Sequence, residues 1–168
     1  MIKAWTAILA LLLAATQAEA ESLSAMLKGK GGNSCWSRTY SAAELSSHPK
    51  QQVADMVLSS ELQEDGGFAV SIYANFRKRV RNWTYDYAIS GFCKPKGQGI
   101  TCIPEWDAGT FVLEKGARGG LRVRNQNLMF NPSNFDSEEI APNAVDMSKS
   151  DDAIWLLFPA DEKLCSVN

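Results

Sequence analysis

Histidine is almost missing from this chain: among 168 residues only His48 carries an imidazole. A Ser-His-Asp or Cys-His catalytic arrangement would have to use that one side chain as its base. No G-x-S-x-G turn accompanies it. Zinc sites draw on Cys-x-x-Cys spacing or on several histidines, and the chain has neither, so no metal is expected. No D-x-D-x-D-G run marks a calcium loop. Positive charge is not in excess, since 17 Lys and Arg face 19 Asp and Glu for a net charge of −2, which argues against nucleic acid as a partner. Beyond the first twenty residues there is no long apolar run, and Ile154–Phe158 is far too short to span a membrane. Tandem repeats, heptads and low-complexity tracts are absent from the sequence. A composition of 45% hydrophobic and 21% charged residues suits an ordinary folded domain and not a disordered or collagen-like chain.

What is present begins with a leader. MIKAWTAILALLLAATQAEA has Lys3 near its start, an apolar run from Ala7 to Ala15, and the small-x-small triplet Ala18-Glu19-Ala20. That is the layout of a secretory signal, expected over residues 1–20 with cleavage after Ala20 and delivery to the periplasm or the exterior. Taking 20 from 168 leaves 148 residues, enough for one domain that buries roughly two-thirds of its unfolded surface. Cys35, Cys93, Cys102 and Cys165 all lie beyond the leader, and an even number in an exported chain predicts disulfides. Three connectivities are open. Pro95, Gly97 and Gly99 mark a turn between two strand-like runs, which favours Cys93–Cys102 across a hairpin. Cys35–Cys165 would then tie the start of the folded region to its end.

Residues 21–34 shift from weakly helical to glycine-rich and are expected as a flexible leader to a domain over 35–168. Ser41-Ala-Ala-Glu44 has the spacing of a capping box, predicting a short helix from Ser41 that stops before Pro49. Past Lys50 the hydrophobic period becomes two. Phe68, Val70, Ile72, Ala74 and Phe76 fall on one face, and Trp83, Tyr85, Tyr87 and Ile89 repeat the pattern. Further strands are expected over Val53–Leu58, Ile100–Trp106, Thr110–Glu114, Leu121–Arg124, Leu128–Phe130 and Ala153–Phe158, with Gly- and Asn-rich turns between them. Eight short strands with tight connections predict an all-β antiparallel meander. A closed barrel is favoured over a two-sheet sandwich, because an open meander exposes two strand edges. The long polar connection 131–151 is expected to lie across one end.

The segment Cys35-Trp-Ser-Arg38-Thr-Tyr40, then Glu44-Leu45, then His48-Pro49-Lys-Gln51-Gln-Val53 resembles the opening of an uncharacterised family of small exported proteobacterial proteins. That family's pattern is Cys-aromatic-x-Arg-x-Tyr, then His-Leu, then His-Pro-x-Gln-x-Val. Glu44 stands where the pattern has a histidine, so a paired-histidine site is not carried over. The resemblance covers about twenty residues and implies a bacterial envelope protein, without an activity.

Several residues are candidates for function. His48, at a predicted helix end, suits capping beside the negative helix pole, ligand contact or, as the remaining option, catalysis. Glu105 and Asp107 share a strand face, as an acid–base pair for glycoside hydrolysis would require, although Asp107 also leads directly into a turn. Asp151 and Asp152 read as loop residues. Residues 75–124 hold ten basic and four acidic side chains, whereas 132–168 hold two and eight. Arg77 and Arg79 on one strand, with Arg122 and Arg124 on another, would form an arginine face for an acidic partner if those strands are neighbours. The alternative is that the acidic loop neutralises them. Trp83, Tyr85 and Tyr87 would line a small-ligand pocket or pack the core. The reading is an exported, disulfide-bonded, monomeric binding protein without cofactor, for a small-molecule or acidic ligand. Its alternatives are an interaction or inhibitor protein acting through the 131–151 loop, and a carboxylate hydrolase.

Overall fold

The computed structural model describes residues 22–77, 86–104, 106–133, 140–148 and 150–166. Its elements in chain order are helix α1 (22–28), β1 (Asn33–Thr39), α2 (Ala42–Ser47), β2 (Val53–Leu62), β3 (Phe68–Phe76), β4 (Tyr87–Lys96), β5 (Gly99–Pro104), β6 (Thr110–Lys115), β7 (Leu121–Gln126), β8 (Met129–Pro132), β9 (Val145–Asp146), β10 (Ile154–Pro159) and α3 (Glu162–Cys165). Eight strands run antiparallel around a ring in the order β1-β2-β3-β4-β5-β6-β7-β10, and β10 returns to β1. This is the closed barrel that the alternating segments predict. The seam between first and last strand is short, with only Trp36–Pro159 and Ser37–Phe158 in register.

Alternation explains why the ring encloses one core. Phe68, Val70, Ile72 and Ala74 on β3 face the same interior as Ile89 on β4, Ile100 on β5, Phe111 and Leu113 on β6, Val123 on β7 and Trp155 on β10, all buried. At Gly91 strand β5 passes close against β4. A Cβ there would sit 2.7 Å from the Ile103 carbonyl oxygen, so only glycine fits that crossing. Side chains of the described residues occupy the interior.

Both ends carry buried apolar side chains among the described residues. At one, α1 inserts Leu23 and Leu27, each fully buried, and the Ser60 hydroxyl donates to the Leu27 carbonyl at 2.6 Å. The expectation of a flexible leader over 21–34 is corrected here, since residues 22–28 form a plug and β1 begins at Asn33. Two leucines four apart were enough to anchor a helix whose glycine-rich tail reads as loose. At the other end Leu128 and Phe130 are buried, as are Ala141 and Met147 from the described part of the 131–151 connection. There β5 no longer reaches the start of β4, and β8 takes that edge through Tyr87–Pro132 and Ala88–Asn131.

Cys35 bonds Cys165, which fixes α3 against β1, and Cys93 bonds Cys102 across the β4–β5 hairpin. Strand β1 escapes the alternation rule because Cys35 and Trp36 are both buried, one at the outer disulfide and the other in the interior. Asp152 also departs from its reading as a plain loop residue. It is 1% exposed and accepts from the Gln52 and Val53 N–H groups (2.6 and 3.4 Å) and from Trp155 Nε1 (3.1 Å), joining the starts of β2 and β10. Among the described residues no helix is long and apolar enough to cross a membrane.

Candidate functional site

Helix α2 sits at the end of the barrel where β2 begins and β3 ends. Ser41 caps this helix as its sequence predicts. The Ser41 hydroxyl accepts from the Glu44 N–H at 3.2 Å, and the Glu44 carboxylate accepts from the Ser41 N–H at 2.8 Å. Those bonds from Ser41, with Arg38 adding to them, hold the Glu44 carboxyl below the usual carboxylate range. His48 is the C-cap, its N–H reaching the Leu45 carbonyl. The helix buries none of its own residues. It is held by its caps, by the Arg38–Glu44 ion pair, and by Arg77, whose Nη2 donates to the Leu45 carbonyl and to the His48 carbonyl (2.7 Å).

Two crevices flank the segment 48–52 that follows. The first, about 310 Å³, is lined by Arg38, Tyr40, Glu44, His48, Gln51 and Asp151 among others. Four residues of the opening motif, Arg38, Tyr40, His48 and Gln51, therefore meet in space. The Arg38 guanidinium is already used: it pairs with Glu44 and lies 5.1 Å from the Tyr40 ring centroid. With Asp151 and Asp152 also on its wall, this crevice leans acidic. Burial is the main reason the Tyr40 phenol is pushed up to about 12, with Arg38 opposing the shift.

A testable consequence follows for alkaline pH. The unfolded chain releases a phenolic proton near pH 10, while folded Tyr40 keeps it to about 12. Over that interval the folded state binds more protons, so Tyr40's contribution, complete below pH 10, is lost as pH rises toward 12. Absorbance titration at 295 nm should show a phenol ionising near 12, and Tyr40→Phe should remove that step. Loss of a step near pH 10 instead would contradict the assignment.

The second crevice, about 380 Å³, lies on the other side of the same segment and is lined by Pro49, Lys50, Phe76, Arg77, Tyr87 and Val145 among others. Phe76 and Tyr87 meet edge to face, with centroids 4.9 Å apart. Lys50 and Arg77 are exposed, and neither makes an ion pair among the described residues.

Two of the sequence candidates, Arg77 and Tyr87, thus come together at this crevice. The remaining ones do not join them. Arg122 and Arg124 stand on the outside of β7, both against Glu114, at 3.6 and 2.7 Å. In a ring of eight, β3 and β7 are four places apart in either direction, so the proposed arginine face is split between opposite walls. Among the described residues, it is Glu114 of the neighbouring strand β6 that supplies the countercharge to Arg122 and Arg124. Arg79, Trp83, Tyr85 and Glu105 lie outside the described residues, and Asp107 is an exposed turn residue. Lys50 was missed because nothing local distinguishes it from any surface lysine. Its significance comes from where the chain between α2 and β2 runs. Compared with protein-family models, with curated proteins and with solved structures, the chain finds no match.

Proposed function

We propose that this chain is an exported, non-catalytic binding protein of the bacterial envelope, monomeric, that takes an acidic ligand on its outside and not in a lumen. The observation that carries this reading is the interior: among the described residues, Phe68, Phe111, Phe130 and Trp155 occupy the space where an eight-stranded barrel otherwise holds a small ligand. Recognition is left to the surface. The two disulfides fit an oxidising compartment, the leader and the family resemblance of the opening motif support export, and the uncompensated cations near α2 support an acidic ligand. The described part of the 131–151 connection is anchored by Ala141 and Met147, which favours this reading over a protruding interaction arm.

Expression in a proteobacterial host, osmotic-shock fractionation and N-terminal sequencing test the first half. The expected product is in the periplasm or medium and begins at Glu21; an intact Met1 chain with reduced thiols in the cytoplasm overturns it. Native mass spectrometry tests the second half, with an expected anionic adduct on a monomer. Retention of neutral or cationic species alone would contradict the acidic ligand.

A further inference from the structure

We infer that the crevice between segment 49–52 and the β3–β4 end of the barrel is a binding site for a small amphipathic anion, an apolar chain or ring bearing one carboxylate or sulfonate head. This rests on the reading of an externally bound acidic ligand and adds the site and the ligand's chemistry.

The floor is apolar, with Phe76, Tyr87, Val145 and Pro49 contributing its surface. The rim is cationic, with Lys50 on one side and Arg77 on the other. Arg77 is preorganised. Its Nη2 is spent on the carbonyls of Leu45 and of the C-cap His48, which fixes the guanidinium, and among the described residues the Nη1 and Nε hydrogens have no partner. A carboxylate placed there meets a fork whose side-chain entropy is already lost, and Lys50 adds a mobile second charge. No described acidic residue lines this crevice, and Asp86 and Asp146, next in sequence to Tyr87 and Val145, have partners of their own. Glu44, Asp151 and Asp152 line the other crevice, across the ridge of residues 48–52, and the Asp151 N–H bonds the Lys50 carbonyl from that side. At about 380 Å³ the space is near the lower end for small-molecule pockets, which suits a medium-length chain or a pair of rings and excludes a two-chain lipid.

The test uses the full mature chain with its disulfides intact. Anilinonaphthalene sulfonate reports binding by fluorescence, and decanoate, decanol and decylamine compete against it. Decanoate should displace the probe, and decanol and decylamine should be at least about tenfold weaker. Lys50→Glu should weaken decanoate about tenfold or more and Lys50→Ala by less, while Lys96→Glu, at the far end of β4, should change nothing. Lys50 is exposed and makes no ion pair among the described residues, so the thermal midpoint of both variants should match the parent. Equal competition by decanol, or undiminished decanoate affinity in Lys50→Glu, overturns the site. If an anionic adduct persists in native mass spectra while Lys50→Glu is silent, the crevice assignment alone falls. If no anion binds in either experiment, the acidic-ligand reading falls with it.

Discussion

Replacing Cys35 and Cys165 together by serine is expected to lower the stability of the oxidised protein by about 5 kcal/mol. The disulfide spans 130 residues, and closing a loop of that length removes roughly this much chain entropy from the unfolded state. It also sits at the weakest place in the ring. Strands β1 and β10 share two register pairs, supplemented by the Ala160 N–H to the Cys35 carbonyl at 2.9 Å, whereas β1 and β2 share seven. Without the cystine, α3 has no covalent hold on β1, and the seam depends on a few backbone bonds. Domains of this size are stable by only about 5–15 kcal/mol, so the variant should be marginal. The same exchange at Cys93 and Cys102, which are nine residues apart, should cost about 3 kcal/mol. Urea unfolding of the three proteins orders the effects. Parent-like stability in the Cys35/Cys165 variant, or a larger loss at the hairpin, would refute the seam argument. Hydrogen exchange should locate the new opening in β1 and β10 first.

Trp155→Ala is expected to cost about 4 kcal/mol, the range for removing a fully buried large aromatic. Its ring is 1% exposed and packs edge to face on Phe130, at 6.2 Å. Its Nε1 also donates to Asp152, the carboxylate that gathers the starts of β2 and β10. Trp155→Phe separates these contributions. It keeps most of the apolar contact and removes one of three N–H donors to Asp152, so about 1–2 kcal/mol is expected. Chemical denaturation with an unchanged slope checks both values. If Phe and Ala variants are equally destabilised, the polar link to Asp152 is the larger part and the packing account fails. An Ala variant within 1 kcal/mol of the parent would contradict the burial itself.

Much of the architecture was legible in the chain. Period-two alternation from Phe68 to Phe76 delimits β3 as it is observed, because the inward residues meet one apolar interior and the outward Ala69, Ser71 and Tyr73 are partly exposed, with Asn75 alone of that face buried. The capping box announces α2, since both halves of its reciprocal bond are local. The turn with Pro95, Gly97 and Gly99 sets Cys93 opposite Cys102. Elements whose burial arises from distant partners were not legible. Helix α1 is held by a barrel end built from later strands, and β1 has both faces covered. Asp152 is buried only because segments a hundred residues apart converge on it.

The candidate site divides along the same line. By itself the sequence determined the local chemistry: four cysteines, alternating strands and clusters of arginine, all set by neighbours within a few residues. Only the tertiary structure decided which charges remain uncompensated. Ring closure carried β3 and β7 to opposite walls, put Glu114 between Arg122 and Arg124, and brought Lys50 from a connecting segment beside Arg77 above Phe76 and Tyr87. Charge pairing depends on distance in space, and at the range of a salt bridge that distance is fixed by strand order and not by position along the chain.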